Sequence, residues 1–174
     1  ENRLRDSVNK AVNECFNSNT DGPESGNDLI IKDILYLYLK RILKIDIDAA
    51  PFTILDLESS FSFDLEFNHR GEKVMLRTGG MIDRVDNVSG RIRIVDYKTG
   101  EVAPKLNSVS ELFRDDRDKK FDGWLQTLLY CEAYLPEAGN TIVRPSIYRI
   151  KEMIRENNSD MLLLNPERGI EIAV

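Results

Sequence analysis

The chain has 174 residues, 41% of them hydrophobic, and its 30 acidic and 24 basic residues give a formal charge of −6. This length is sufficient for one domain with a sizeable core, and no apolar run approaches the roughly 20 residues that a membrane-spanning helix needs. The acidic balance does not indicate a surface built to attract nucleic acid, although acidic side chains that hold a metal ion would contribute to it.

Local charge and cysteine content add two expectations. Thr141–Arg155 contains four basic side chains against Glu152 alone, so it could follow phosphates or form a solvated strand edge that resists aggregation. The two cysteines, Cys15 and Cys131, form neither a disulfide nor a metal-binding pattern. We therefore expect a cytoplasmic protein with Cys131 in the core.

The first fifty residues predict two helices. Arg3–Phe16 and Asp28–Ile45 carry apolar side chains at helical spacing, and Asp28 can cap the second helix. Asn17–Asn27, between them, is a loop rich in Ser, Asn, Asp and Gly. We expect residues 1–50 to be the helical part of a single domain that spans residues 1–174.

From residue 51 onward the apolar period changes to two, which is typical of strands. Five strands with short turns between them are predicted at Phe52–Leu57, Phe61–Phe67, Lys73–Thr78, Met81–Val85 and Arg91–Tyr97. One polar turn, Asn68–Gly71, contains the only histidine, His69. The pair Gly79-Gly80 indicates a bulge or a close backbone approach.

A long polar connection, Glu101–Lys119, follows the strands, and a short helix is predicted within it at Val109–Arg114. The next helix is predicted at Phe121–Leu135 and is ended by Pro136 and Gly139. Two further strands are predicted at Ile142–Ile150 and Ile170–Val174. This order of elements predicts the α+β class, with helices flanking a central mixed β-sheet.

Two of the predicted strands carry charged residues on apolar faces. Because side chains alternate between the faces of a strand, Asp96 and Lys98 continue the apolar face that precedes them. By the same parity Asp83 shares a face with Met81 and Val85. Charges at inward positions are costly unless they are paired or bind a metal.

Turn residues between these strands bring the two acids together. A turn within Asp86–Gly90, centred near Val88, would place Asp83 and Asp96 opposite or diagonal to each other, with Cβ atoms roughly 4.5–8 Å apart. Two carboxylates this close repel each other, and a divalent cation such as Mg²⁺ removes the conflict. Lys98 would then lie one pleat beyond, near any group that the metal holds.

Three motifs follow one another along the chain. They read GMIDRVD at Gly80–Asp86, IVDYKTG at Ile94–Gly100 and WLQTLLY at Trp124–Tyr130. In this order they resemble the nuclease domain of the PD-(D/E)xK superfamily, and most closely its RecB/AddB-type branch, found in helicase–nuclease machines for double-strand break repair. The resemblance covers roughly residues 52–149 and implies a restriction-endonuclease-like nuclease core.

The resemblance implies roles for individual residues. Asp83 resembles the family's first metal-binding acid, Asp96 the second and Lys98 the catalytic lysine. Gln126 and Tyr130 match the family's helix motif, and their spacing of four places them on one helical face. In the family that face leans toward the active site and the nucleic acid.

Further metal ligands are implied less directly. Glu58 resembles an acid that often precedes the hairpin, and Asp56 and Glu66 are nearby alternatives for that position. The backbone carbonyl of Tyr97 would complete the ligand set. The family's usual upstream histidine, in a G-x-x-x-H helix, has no counterpart here, because His69 lies in a polar turn.

The missing histidine and the start at Glu1 lead us to expect a piece of a larger protein. Some relatives hold an iron–sulfur cluster with four cysteines, three of them after the nuclease motifs. Since no cysteine follows Cys131, we expect no such cluster. No phosphate loop of the G-x-x-x-x-G-K-[ST] type is present, so helicase activity is expected from a partner subunit or another domain.

These observations predict a Mg²⁺- or Mn²⁺-dependent deoxyribonuclease, more an exonuclease than an endonuclease, that acts in DNA repair with a helicase and has no membrane partner. The alternative is a catalytically inactive nuclease-fold scaffold that binds DNA or a partner protein; the retained acids and lysine count against it, and the absent histidine counts for it. A stand-alone nuclease of the CRISPR-adaptation kind should carry the cluster cysteines, which this chain lacks.

Overall fold

The computed structural model describes residues 2–16, 26–155, 163–164 and 170–171. Its first helices are α1 at Asn2–Phe16 and α2 at Gly26–Ala49. Both were predicted, but the capping role of Asp28 was wrong, because α2 begins at Gly26 and Asp28 lies inside its first turn. Most of the predicted loop at Asn17–Asn27 lies outside the described residues.

The remaining elements form two sheets and two further helices. In chain order they are β1 (Phe52–His69), β2 (Glu72–Val88), β3 (Arg91–Lys98), β4 (Lys105–Leu106), α3 (Asp122–Ala138), β5 (Val143–Arg149), α4 (Ile150–Arg155), β6 (Leu163–Leu164) and β7 (Ile170–Glu171). Short 3-10 helices lie at Val109–Phe113, as predicted, and at Lys119–Phe121. The predicted strand at Ile170–Val174 is observed at its first two residues, and its last three lie outside the described residues.

The main sheet has the order β1-β2-β3-β5. β1 pairs antiparallel with β2 and β2 antiparallel with β3, whereas β3 and β5 are parallel. β4, β6 and β7 form a second, small sheet. A mixed central sheet flanked by helices confirms the predicted α+β class.

The first four predicted strands are in fact two long ones. β1 runs through the polar residues after Leu57, and β2 runs through Gly79-Gly80 without a break. Their outer parts, residues 59–69 and 72–82, pair with each other in a continuous register and form a two-stranded ribbon. Backbone pairing along this ribbon overrides the local turn signals on which the prediction depended.

Glycine supports the ribbon at one position. A Cβ atom on Gly79 would lie 2.6 Å from the carbonyl oxygen of Phe61 on the facing strand. The predicted close backbone approach is therefore confirmed at Gly79, whereas the register shift between the strands lies elsewhere, between Ile54 and Asp56. The predicted polar turn also forms, at Arg70 and Gly71.

Helices cover both faces of the main sheet. α3 packs on one face, where Ile82, Val85 and Ile94 form a cluster with Tyr130 and Cys131. α2 packs on the other face, where its apolar side chains meet Val95 and Tyr148. α1 in turn packs on α2. No helix in the described ranges is long and apolar enough to cross a bilayer.

The end of α3 differs from the prediction. Pro136 does not terminate the helix, which continues to Ala138 and is followed by Gly139 at φ 62°. Because proline has no N–H, Pro136 cannot donate to the carbonyl four residues earlier, and the helix ends within one further turn. The Gly139 N–H closes the helix by donating to the Leu135 carbonyl at 3.2 Å.

Candidate active site

The α3 face of β3 changes from apolar to charged along the strand. Ile94 is fully buried, Asp96 is 2% exposed, and the Lys98 side chain is 25% exposed. This alternation is the one that the sequence predicts for a strand whose core-facing stripe ends in a carboxylate and an ammonium group. The charged end of β3 therefore reaches the surface beside α3.

Lys98 connects β3 to α3. Its Nζ donates to Oδ1 of Asp96 at 3.0 Å and to Oε1 of Gln126 at 2.6 Å. The Gln126 amide in turn donates to the hydroxyl of Tyr130. Gln126 and Tyr130 are four residues apart on α3, so one helical face supplies both side chains of this hydrogen-bonded series.

Asp83 meets β3 from the neighbouring strand. The hairpin turn lies at Ser89-Gly90 instead of at Val88, since Val88 pairs with Arg91. The pairing of β2 with β3 ends at Arg84 opposite Val95, and one further step in the same register would place Asp83 opposite Asp96. At this point the Asp83 carboxylate accepts a hydrogen bond from the Tyr97 N–H at 2.8 Å.

The prediction that Met81, Asp83 and Val85 share one apolar face was wrong in one respect. Met81 is 49% exposed whereas Val85 is fully buried, so the two do not share a buried face. Ile82 and Val85 belong to the same core cluster although they are three residues apart. The two-residue alternation is therefore interrupted around Asp83, where β2 leaves its pairing with β3.

Glu58 lies where β1 is irregular. The pairs Leu57–Arg84 and Ser59–Ile82 flank it, which places it across from Asp83. Its φ of 50° is in the left-handed region, a conformation that costs a non-glycine residue about 1–3 kcal/mol and is concentrated at functional sites. Glu58, Asp83 and Tyr97 line one open cleft of about 630 Å³.

The two alternatives to Glu58 are engaged elsewhere. Asp56 accepts a hydrogen bond from the Leu57 N–H at 2.9 Å. Glu66 lies on the ribbon and pairs with Lys73 at 2.6 Å. Of the three acids, Glu58 is the one that lines the cleft with Asp83.

Burial raises the pKa of Asp96 above its usual value of 3.8. Lys98 opposes this shift through a hydrogen bond and its charge, and the charge of Asp83 adds to it. Oδ2 of Asp96 lies 2.9 Å from Nζ of Lys98 but is buried without an aligned hydrogen-bond donor among the described residues. The carboxylate thus has one oxygen that is held by charge but not by an aligned hydrogen bond, and it has a negatively charged neighbour.

A bound divalent cation would fit these groups. In an extended strand the N–H and C=O of one residue point to the same side, so the Tyr97 carbonyl faces β2 as its N–H does. Mg²⁺ is usually held by one or two carboxylates together with several waters. Within the described ranges no three or more His, Cys, Asp or Glu side chains come close enough to form a metal cluster on their own.

A second charged cluster, on the α2 face, was not predicted as a unit. Nη1 and Nη2 of Arg84 donate to the two carboxylate oxygens of Asp46 at 2.9 and 2.8 Å. Arg93 pairs with the fully buried Asp86, and the Tyr148 hydroxyl donates to Asp46 at 2.8 Å. Arg84 thus anchors a carboxylate that lies 38 residues away along the chain, on α2.

The basic segment at Thr141–Arg155 does not form a solvated edge throughout. Arg149 is 5% exposed and donates to Glu152 at 2.6 Å. Arg144 lies within β5 and is half-buried. These side chains contribute to the packing of β5 and α4 more than to a surface that follows phosphates.

Comparison with known proteins places the chain in a family. Residues 1–166 match the PD-(D/E)XK nuclease superfamily, whose members are usually nucleases that use divalent metal ions. No curated protein sequence matches the chain. Because the match covers more than half of the 174 residues, the chain belongs to the PD-(D/E)XK nuclease superfamily.

Proposed function

We propose that this protein is a metal-dependent deoxyribonuclease that hydrolyses phosphodiester bonds with Mg²⁺ or Mn²⁺. The observation that carries the proposal lies where β2 and β3 separate: Asp83 bonds the Tyr97 N–H and acts by charge on Asp96, and Asp96 pairs with Lys98. Two carboxylates share one lysine at this point, and Oδ2 of Asp96 is buried without an aligned hydrogen bond, which favours the binding of a cation. Superfamily membership supplies the reaction class.

In this proposal Asp83, Asp96 and the Tyr97 carbonyl hold the cation, and Glu58, which lines the same cleft as Asp83, moves toward it when it binds. When bound, a divalent cation polarises the scissile phosphate and lowers the pKa of a bound water. Lys98 positions that water or offsets the charge that develops on the phosphate. Its Nζ is kept in place by Asp96 on one side and Gln126 on the other.

Gln126 and Tyr130 orient the lysine. The Gln126 amide bridges Nζ of Lys98 and the Tyr130 hydroxyl. Tyr130 is 7% exposed and packs edge-to-face on Phe61 with ring centroids 5.2 Å apart. A rigid aromatic ring thus sets the position of the amide, and the amide sets the position of the ammonium group.

The wider setting is proposed from the motifs. We place the chain in the RecB/AddB-type branch, as a single nuclease domain that works beside a helicase in DNA repair and cuts as an exonuclease. The order of the three motifs supports this placement. Cys15 and Cys131 are both free thiols, which fits the cytoplasm.

One observation favours the alternative of an inactive scaffold. Lys98 already has two partners in its own chain, so the ion pair can be satisfied without a metal or a substrate. In a scaffold this pair would serve only to hold β3 against α3. Cleavage measurements separate the two functions.

The test is cleavage of linear DNA with Mg²⁺ by the full-length protein, with Lys98→Met compared to the parent. Loss of one preorganised charge-stabilising group typically lowers the rate by about 10²–10³, whereas DNA binding should stay nearly intact. Lys105→Met is the matched control, because Lys105 is exposed on β4. Equal cleavage by parent and Lys98→Met would reject the catalytic role, and no cleavage by the parent would favour the scaffold.

A further inference from the structure

A second cavity adjoins the candidate active site, between α3 and the β1–β2 ribbon. Its volume is about 370 Å³. Leu125 and Leu129 form its wall on α3, and Phe61 and Thr78 form the facing wall on the ribbon. None of the proposed metal ligands lines this cavity. The hydrogen bonds that join Lys98, Gln126 and Tyr130 do not explain what the cavity binds.

The apolar wall on the ribbon is held rigidly. Phe61 packs edge-to-face on Tyr130, with an interplanar angle of 78°, and stacks on Phe63 with ring centroids 6.1 Å apart. Gly79 allows the two ribbon strands to approach, since a side chain there would collide with the Phe61 backbone. The cavity is thus built by the fold and needs no rearrangement to form.

A fixed cation lies at the same cavity. Nη1 of Arg117 donates to the Leu112 carbonyl at 2.7 Å, and Nη2 pairs with Asp122. The Arg117 side chain is 26% exposed, and that of Asp122 is 57% exposed. A guanidinium has five N–H donors, so Arg117 can also bind a phosphate oxygen while it keeps both of these contacts.

Gln126 connects the cavity to Lys98. Its side chain lines the cavity and its Oε1 accepts from Nζ of Lys98 at 2.6 Å. A group bound in the cavity is therefore one side chain away from the proposed point of cleavage. The nucleotide next to the scissile phosphate would occupy this position.

We propose that the cavity binds one unpaired nucleotide of the substrate strand, with its base against Leu125, Leu129 and Phe61 and its phosphate on Arg117. This inference rests on the proposed nuclease function. Apolar and aromatic walls recognise the faces of a base, and in a duplex neighbouring base pairs cover those faces. The site therefore selects single-stranded DNA or the frayed end of a duplex.

The experiment is an abasic scan with the full-length protein in EDTA, so that binding is measured without cleavage. Single-stranded oligonucleotides carry one abasic position each, moved along the strand, and affinity is measured by fluorescence anisotropy. Stacking of a base is worth about 1–3 kcal/mol, so one position should lower the affinity by about 5- to 150-fold. If no position lowers the affinity, the proposal is overturned.

A cavity-filling variant identifies the site. Leu129→Trp should weaken binding of the intact oligonucleotide and abolish the effect of the sensitive abasic position. Glu137→Trp, exposed on the same helix, should behave as the parent does. If Leu129→Trp lowers the melting temperature strongly, Leu125→Trp from the same wall replaces it. A position-specific effect that persists in the filled variant would contradict this location.

Failure of this inference is distinct from failure of the nuclease function. A parent that cuts DNA with Mg²⁺ but shows no sensitive abasic position would overturn the nucleotide site alone. If the parent has a sensitive abasic position that disappears in Leu129→Trp, but the parent never cuts DNA, the result would support the nucleotide site and contradict the nuclease function.

Discussion

The two faces of the β2–β3 hairpin carry charged clusters of opposite character. On the α2 face, Arg84 and Arg93 meet Asp46 and Asp86, so two positive charges balance two negative ones. On the α3 face, Lys98 pairs with Asp96, and the charge of nearby Asp83 also acts on Asp96, so two acids share one lysine. Adjacent residues of the same strands thus serve two clusters, one balanced and one not.

Depth of burial separates the clusters as well. The Arg84, Arg93 and Asp86 side chains are 5%, 4% and 0% exposed, whereas Lys98 is 25% exposed. Burial alone would raise the pKa of Asp46, but hydrogen bonds from Arg84 and Tyr148 outweigh it and lower that pKa. For Asp96 burial prevails and the pKa is raised. We therefore expect the balanced cluster to stabilise the fold and the unbalanced one to bind a cation.

The largest expected effect comes from breaking the balanced cluster. Arg84→Met removes one partner of a buried pair and leaves Arg93 as the remaining arginine beside Asp46 and Asp86, so it should lower the free energy of unfolding by about 3–5 kcal/mol. Arg77→Met is the matched control, since Arg77 makes a similar two-bond pair with Asp64 on the exposed ribbon, where solvent screens the charges, and its loss should change stability much less. Urea denaturation measures both, and equal losses would contradict the contrast between the clusters.

Metal binding tests the unbalanced cluster. A cation that binds only the folded state should raise the free energy of unfolding, by about 2.7 kcal/mol at a hundred times its dissociation constant. Thermal melts with and without Mn²⁺ measure this in the parent and in the Asp83→Asn, Asp96→Asn double variant. The shift should vanish in the double variant and persist in Asp64→Asn. The same shift in all three proteins would place the metal elsewhere.

The pH dependence of stability should differ in sign between the clusters. Because the pKa of Asp96 is raised above 3.8, the folded state binds its proton more tightly than the unfolded chain, and the contribution of Asp96 to stability falls as pH rises from 3.8 through the raised pKa. The pKa of Asp46 is lowered, so its contribution is lost as pH falls below 3.8. In metal-free buffer, Asp96→Asn should therefore gain stability relative to the parent as pH rises.

Urea unfolding of parent and Asp96→Asn between about pH 3 and pH 7 measures this difference. Asp64→Asn is the control for which the pH trend in stability should be opposite, because Arg77 lowers the pKa of Asp64. If the parent instead loses stability relative to Asp96→Asn as the pH falls, the Asp96 charge is stabilised in the fold, contrary to expectation.

The smallest effect on stability is expected at the helix motif. Tyr130→Phe removes a hydroxyl that accepts from Gln126, an amide that is only half-buried, so the free energy of unfolding should change by about 1 kcal/mol or less. DNA cleavage should fall in Tyr130→Phe and in Gln126→Ala, because Lys98 loses its orientation. Normal specific activity of the folded fraction would assign both residues to packing.

Local patterns were sufficient for the parts of the site that lie within one element. The two-residue period of β3 placed Asp96 and Lys98 on the face that α3 covers, and helical spacing placed Gln126 and Tyr130 together. Such predictions succeed because the geometry of a strand or helix is set by neighbouring residues alone. The turn residues before Arg91 likewise made the β2–β3 hairpin predictable, to within a residue at its centre.

Long-range pairing decided what local patterns could not. The left-handed conformation of Glu58 and its place across from Asp83 depend on the register of β1 on β2, and the contact of Asp46 with Arg84 depends on how α2 packs on the sheet. The cavity between Phe61 and Leu129 likewise arises where ribbon and helix meet. The sequence alone thus determined the residue types and the local faces of the candidate site. Tertiary packing decided which charges are balanced, because a charge is balanced by whatever lies beside it in space, however distant along the chain.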